Sequence, residues 1–303
     1  MADYLSFFGL RDHPFRMTPD TDYFYPSGEH KAALESLKYG LGRREGFLVL
    51  TGEPGMGKTL LIRLLLKELS PEVLTAMILT PTLGPKELLE AILEDLSLPA
   101  SGSKESLLKA FRDYLFGLAR EGKTLLLVID EAQNLPVESL EELRLLSNFE
   151  TEKGKLLQIL LSGQPLLEEK LRSPELSQLA QRITIWERLE PFGREEVLDY
   201  VRFRLARAGG AGVIFSRGVD RELLGITGGI PRVINKVMDR ALLIAFARGT
   251  SRIDTRILRE AAEAAALSME GPEKSSLRRY LFWGLLGGLI LLLGLGYVVF
   301  MGR

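Results

Sequence analysis

An α/β architecture follows from three observations along this chain of 303 residues: a parallel β-sheet sandwiched between helices, then an all-α domain, then one membrane helix. Short apolar runs alternate with helical patterns through the first two thirds of the sequence. After Glu190-Pro191-Phe192 the strand-like runs stop and only helical patterns follow. The C-terminus is a long uncharged, apolar segment. Strands that alternate with helices point to a parallel sheet covered on both faces.

Residues 1–45 read as a loop-rich entry, broken by Pro14, Pro19 and Pro26, with a helical run at 29–40. Five apolar runs have strand character: 47–51, 73–80, 124–130, 156–162 and 183–189. Helical patterns fall between them at 60–66, 86–96, 104–120, 137–149 and 166–171. A second domain, 192–268, is expected to be all-α. Its helices are predicted at 194–208, 217–226, 231–248 and 254–268, with Ser216 and Asp254 as N-caps of the second and fourth. Residues 269–280 form a polar linker.

The first strand leads into Gly52-Glu53-Pro54-Gly55-Met56-Gly57-Lys58-Thr59, which fits G-x-x-x-x-G-K-[ST] at every fixed position. Chemistry explains the residue types. Glycines let successive backbone N–H groups turn inward around a polyanion, and the helix that follows from Leu60 adds partial positive charge. Lys58 is expected to reach the β- and γ-phosphates of a nucleotide, and the Thr59 hydroxyl to ligate Mg²⁺. An ordinary glycine turn opening a helix accounts for neither the spacing nor the strand before it.

The run Leu125-Leu126-Leu127-Val128-Ile129 delivers two carboxylates, Asp130 and Glu131, at a strand tip. Asp130 is expected to hold the metal through its water, and Glu131 to orient and activate an attacking water. The run at 156–162 ends in polar groups. Ser162 or Gln164 could stand between the two motifs, and Gln164 is the candidate for touching the γ-phosphate or the attacking water.

Composition narrows the chemistry. There is no cysteine, which excludes disulfides, thiolate-bound zinc and thiol catalysis. His13 and His30 are the only histidines and lack metal-ligand spacing, which argues against a histidine metal centre or a Ser-His-Asp triad. The net charge of -1 sets up no global field toward nucleic acid or anionic lipid. Residues 199–263 differ, with twelve Lys/Arg against seven Asp/Glu. Residues 281–301 are 21 uncharged, largely apolar positions, long enough to cross a bilayer as a helix. Tyr280, Trp283 and Tyr297 stand near its ends, and Lys274, Arg278 and Arg279 precede it. The positive-inside rule then keeps residues 1–280 cytoplasmic, with a short far-side tail. Gly284 and Gly288 form a GxxxG pair that permits close helix packing.

Taken together, GEPGMGKT, LLLVIDEAQNL, ILLSGQP, LAQRI and GGIPRVIN resemble the AAA+ ATPases, and within them the general secretion pathway protein A branch. The N-terminal words support the narrower likeness: YLSFFGL, HPF, TPD and YFYPS, with Gly46-Phe47 before the first strand. The resemblance implies a P-loop ATPase core at 46–191, a helical lid at 192–268, and ATP with Mg²⁺. It implies that Arg182 is an arginine finger inserted into a neighbour's site, and that Arg232 is the lid's second sensor arginine. Pro14 and Phe15, with Tyr23, are expected to line the adenine pocket of the 1–45 segment. Relatives of this branch commonly carry a periplasmic peptidoglycan-binding domain beyond the membrane helix. This sequence stops at Arg303, so direct cell-wall binding by this subunit is not expected, and any such role would need a partner.

The expected partners are copies of the chain itself in an ATP-dependent homo-oligomer, membrane lipid, and an inner-membrane or periplasmic assembly. The expected location is a bacterial inner membrane, and nucleic acid is not expected. Two alternatives stay open at this point. One is a DNA-associated ATPase of transposition or replication-initiator type, favoured by the basic 199–263 segment. The other is a nucleotide-gated scaffold with little turnover.

Overall fold

The structure is a computed structural model, and it describes residues 4–79, 82–151, 154–210 and 212–267. Five strands form a parallel sheet: β1 (Phe47–Gly52), β2 (Val73–Ile78), β3 (Thr124–Ile129), β6 (Leu157–Gly163) and β7 (Ile183–Leu189), in the order β2-β3-β6-β1-β7. Between β3 and β6 a two-residue antiparallel pair, β4 (Glu150–Thr151) with β5 (Gly154–Lys155), turns the chain back toward the sheet. The central strands are buried on both faces, which is why they read as continuous apolar runs rather than alternating ones.

Period-two geometry still sorts their side chains. Phe47, Val49, Leu125, Leu127, Ile129, Ile159 and Leu161 point to one face. There they meet α4 (Pro85–Asp95), α5 (Lys104–Arg120), α6 (Val137–Leu146) and α7 (Pro165–Leu171). Leu48, Leu50, Leu126, Val128 and Leu160 point to the other, against α2 (Gly28–Gly42) and α3 (Lys58–Lys67). Side chains such as Phe47 and Phe111 are fully buried, and burying one of that size is worth about 1.5–3 kcal/mol.

Register fixes the working edge of the sheet. Leu50 lies opposite Ser162, and Ile129 lies opposite Leu161. The carboxyl ends of β1, β3 and β6 therefore bring Gly52, Asp130 and Ser162 together. In open parallel sheets this end, where the strand order switches, is where ligands bind.

The lid comprises α9 (Arg194–Arg207), α10 (Val219–Thr227), α11 (Pro231–Ala247) and α12 (Thr255–Leu267). It has its own core, in which Val197, Val201, Met238 and Leu258 are buried. Two expectations need correction here. The domain is not purely helical, because β8 (Ile214–Phe215) pairs in parallel with β9 (Arg252–Ile253). Two-residue strands leave too little pattern in sequence to be seen. Ser216 is not the cap of α10 either; Gly218, in the left-handed region at φ 82°, takes that place. Asp254 does cap α12, with its Oδ1 accepting from the Ile257 N–H at 2.9 Å.

The N-terminal segment is divided between the two domains. The short helix α1 (Tyr4–Phe8), Leu10, Phe15 and Tyr23 complete the lid core, whereas α2 packs on the sheet. The remaining short helix, α8 (Ser177–Ala180), precedes β7. Among the described residues no helix is long and apolar enough to cross a membrane. The expected membrane helix at 281–301 and its linker lie outside the described residues.

Candidate nucleotide site

The phosphate loop leaves the sheet at Gly52 and ends where Lys58 opens α3. Gly55 (φ 89°) and Gly57 (φ 95°) both occupy the left-handed region. That conformation costs an L-residue about 1–2 kcal/mol, so glycine is required at both positions. Met56 between them is fully buried and pins the loop to the core. The Lys58 ammonium folds back to donate to the carbonyls of Gly52 (2.7 Å) and Glu53 (3.2 Å). Only 5% of Lys58 is exposed, and burial lowers its pKa against the opposing pull of Glu131, Asp130 and Glu53.

A residue the motif does not contain holds the loop from beneath. His30 on α2 is buried, with Nε2 2.8 Å from the Met56 carbonyl and Nδ1 2.8 Å from the Ser27 hydroxyl. The carbonyl can only accept, so Nε2 carries the proton and Nδ1 accepts from Ser27. Burial lowers the His30 pKa, which favours this neutral form. The sequence offered no signal for it beyond the rarity of histidine.

Asp130 and Glu131 stand at the tip of β3 in different settings. Asp130 is 4% exposed. Its Oδ2 accepts from the Thr59 hydroxyl at 2.7 Å, and its Oδ1 accepts from Ser162 (2.8 Å) and the Glu131 N–H (3.1 Å). A carboxylate so oriented against a threonine hydroxyl is a set of hard oxygen donors of the kind Mg²⁺ prefers. Glu131 takes a left-handed backbone (φ 52°), which turns its side chain from the Asp130 cluster toward the loop after β6. Its Oε2 accepts from the side-chain amides of Gln133 (2.7 Å) and Gln164 (3.1 Å). Gln133 also accepts the Gln164 backbone N–H at 3.0 Å.

The two candidates at the end of β6 thus have separate roles. Ser162 orients Asp130, and Gln164 holds Glu131. Gln133, which no motif singled out, ties the two loops together.

The lid closes over this edge. The Arg232 N–H, at the start of α11, donates to the Gly55 carbonyl at 3.2 Å. A Cβ added to Gly55 would lie 2.6 Å from the Arg232 Cβ, so the lid touches the phosphate loop backbone directly. Between them lies a cleft of about 230 Å³. Its walls include Pro54, Gly55, Gly57, Lys58, Thr59 and Leu60 from the loop, Glu131 from the sheet, and Arg232 from the lid. A smaller aromatic recess of about 40 Å³ adjoins it, lined by Tyr23, Tyr25, Met56, Phe192 and Tyr200 among others.

Pro14 and Phe15 line neither cavity. Both are buried, and Phe15 belongs to the lid core. The N-terminal segment contributes Arg16, Thr18, Pro19 and Asp20 to the larger cleft and Tyr23 to the recess. Phe15 anchors the segment in the lid core, which leaves the residues after it free to face the cleft.

Arg182 lies elsewhere. It immediately precedes β7, whose first residue, Ile183, pairs with Phe47 at the start of β1, whereas Leu189 pairs with Gly52. It therefore sits at the edge opposite the phosphate loop and takes no part in its own chain's cleft. Its guanidinium reaches the Arg144 carbonyl (3.2 Å), Ser147 (2.9 Å) and Asn148 (2.7 Å) around the C-terminus of α6.

Comparison with known proteins places this geometry. Residues 42–171 match the AAA domain family. The chain therefore carries an AAA domain in its core. It is 44% identical over 277 residues to general secretion pathway protein A of Aeromonas hydrophila, a match covering 90% of this chain and 51% of that protein. The chain thus spans about half the length of the curated relative it matches. Solved structures share the fold. The Cdc6p of Pyrobaculum aerophilum aligns with a TM-score of 0.63 at 19% identity, over 81% of this chain and 71% of that one. The ORC2 protein of Aeropyrum pernix, solved in ADPNP–ADP complexes, gives 0.59 at 18% identity, over 79% and 67%. The RuvB branch-migration motor of Thermotoga maritima gives 0.52 at 19%, over 82% and 73%.

Proposed function

We propose that this ATPase is anchored in a bacterial inner membrane by residues 281–301 and works as a homo-oligomer. In this reading ATP hydrolysis in the cytoplasm drives assembly or operation of an envelope machine of the secretin, pilus or polysaccharide-export kind. The observation that carries the enzymatic half is the convergence of Lys58, Thr59 and Glu131 on one cleft closed by Arg232, with Asp130 bonded to Thr59. The similarity to a general secretion pathway protein over 90% of the chain supports the envelope half, and the 21-residue apolar run supports the anchor.

The chemistry assigned to this chain's residues is specific. Thr59 and Asp130 would hold Mg²⁺, which when bound neutralises phosphate charge and orients the transferred group. Lys58 presents its ammonium to the phosphates, exchanging the carbonyls of Gly52 and Glu53 for phosphate oxygens. Glu131 orients the attacking water and accepts its proton, with Gln133 and Gln164 fixing its carboxylate. Arg232 reads the γ-phosphate from the lid. Arg182 acts on a neighbour's site.

The test is purification of the full chain in detergent with its co-migrating membrane partners, alongside ATP turnover by the wild type and Glu131→Gln. Turnover that depends on Glu131, with an envelope component recovered, supports the reading. Recovery of nucleic acid without any envelope component overturns the envelope half. Turnover unchanged in Glu131→Gln overturns the catalytic assignment.

A further inference from the structure

The lid carries a second cation at the cleft, one that no motif of the sequence marks. Arg204 on α9 is 6% exposed, and it lines both the large cleft and the aromatic recess. Its guanidinium lies 5.0 Å from the Tyr23 ring centre and 5.7 Å from that of Tyr200. Nη1 donates to the Tyr200 hydroxyl at 2.8 Å, and that hydroxyl donates onward to Asn235 at 2.8 Å. Nε is buried without any hydrogen-bond partner.

Among the described residues no carboxylate pairs with this guanidinium. The acids nearby are engaged elsewhere. Asp12 binds Arg16 and the Tyr23 hydroxyl, Asp199 pairs with Arg202, and Glu196 accepts from the Gly193 N–H. An arginine this buried normally has an anionic partner, because an unpaired charge out of water is costly and two ring faces compensate it only in part. The charges of the large cleft point the same way: Arg16, Lys58, Arg204 and Arg232 line it against Asp20 and Glu131. Arg204 also stands where the two cavities meet, since both share Gly57, Leu60, Tyr200 and Pro231. Glu131 lines only the larger cavity, so Arg204 stands between that carboxylate's cleft and the aromatic recess.

We infer that Arg204 is a second nucleotide-contacting arginine of the lid, which takes the phosphate nearest the nucleoside as its counter-ion. The inference rests on nucleotide occupying this cleft and deepens that reading. Arg232 and Arg204 then divide the work. Arg232 responds to the terminal phosphate, and Arg204 responds to any nucleotide that carries a phosphate at all. The Tyr200–Asn235 chain passes that contact from α9 to α11, so occupancy draws the two lid helices together.

The experiment uses the full chain in detergent, comparing wild type, Arg204→Met and Arg204→Lys. Competition against a fluorescent ATP analogue gives affinities for ATP, ADP, AMP and adenosine, and unfolding without nucleotide gives Tm. Arg204→Met should weaken ATP, ADP and AMP by a common factor on the order of 10- to 100-fold, the scale of a lost charge-assisted hydrogen bond. Adenosine affinity should not change. The nucleotide-free Tm should stay level or rise, because an uncompensated buried cation has been removed. Arg204→Lys should recover part of the affinity, since the charge returns without the planar fork.

Equal weakening of adenosine would show a base contact and overturn the inference. Loss confined to ATP would make Arg204 redundant with Arg232 and overturn it as well. A lowered Tm in both variants with wild-type affinities would show a purely structural arginine. If the wild type itself binds none of these nucleotides, the underlying nucleotide reading falls too, and the two failures are thereby distinguished.

Discussion

Contact between lid and phosphate loop reduces to one position that can be tested by a single methyl group. Gly55 and Gly57 have nearly the same backbone, at φ 89° and 95°, so alanine at either incurs the same left-handed strain of about 1–2 kcal/mol. Their surroundings differ. A Cβ on Gly57 meets only His30 Nε2, at an ordinary 3.5 Å, whereas a Cβ on Gly55 comes within 2.6 Å of the Arg232 Cβ. A Cβ cannot rotate away, so in Gly55→Ala the start of α11 must lift.

The bond at stake is the Arg232 N–H to the Gly55 carbonyl. At the second position of a helix this N–H has no intrahelical acceptor, so its protection from hydrogen exchange depends on that one contact. A net value of about 0.5–1.5 kcal/mol for such a bond corresponds to roughly 2- to 12-fold in protection. Exchange measured by mass spectrometry on peptides spanning residues 229–236, without nucleotide, should show that acceleration in Gly55→Ala and none in Gly57→Ala. Both variants should lose thermal stability, Gly55→Ala the more because it adds the displaced contact to the shared strain. Equal exchange in the two variants, or wild-type protection in Gly55→Ala, would refute the direct docking of lid on loop.

Other expectations follow from the site. Glu131→Gln should lower ATP turnover on the order of 10²- to 10⁴-fold while nucleotide affinity is kept, measured as phosphate release beside equilibrium binding. Arg182→Ala and Glu131→Gln, each inactive alone, should regain turnover on mixing, because some interfaces then pair an intact Arg182 with an intact Glu131; no recovery would remove Arg182 from catalysis in trans. Ser162→Ala leaves Asp130 Oδ1 with only the Glu131 N–H, so the Mg²⁺ concentration for half-maximal turnover should rise several-fold, consistent with the loss of about 1 kcal/mol of orientation. His30 has a depressed folded pKa, so the unfolded chain binds the extra proton first and the stability His30 contributes is intact above about pH 6.5. That stability declines as pH falls below this value toward the lower folded pKa, by at most about 1.4 kcal/mol per pH unit. His30→Gln should flatten the fall in Tm between pH 7.5 and 5.5, and an unchanged slope would show that His30 does not set it.

The parts of this site that sequence made legible are those where one residue type answers a local demand. Glycine at 55 and 57 is required by a positive φ, Lys58 and Thr59 open a helix at a strand end, and Asp130 sits on a strand tip. The same logic located the three central sheet strands, because a strand buried on both faces has to be an apolar run. What escaped was every relation set by register or by packing between distant segments. Gln133 is an unremarkable loop amide until the β3–β6 register sets it beside Gln164. His30 becomes the support of the phosphate loop only once α2 packs beside α3. Phe15 and Tyr23 were equivalent aromatics in sequence. The lid core claimed the first wholly and left the second an edge on the recess, since an amphipathic ring can serve both. Arg204 is the strongest case. On a helix with four arginines its position carries no local signature. Its meaning comes from a ring donated by the N-terminal segment, a hydroxyl one turn back, and the absence of a paired acid among the described residues. A buried cation is read from what surrounds it: Arg204 has two rings and one hydroxyl about it, a buried Nε without a partner, and a place on the wall of the nucleotide cleft.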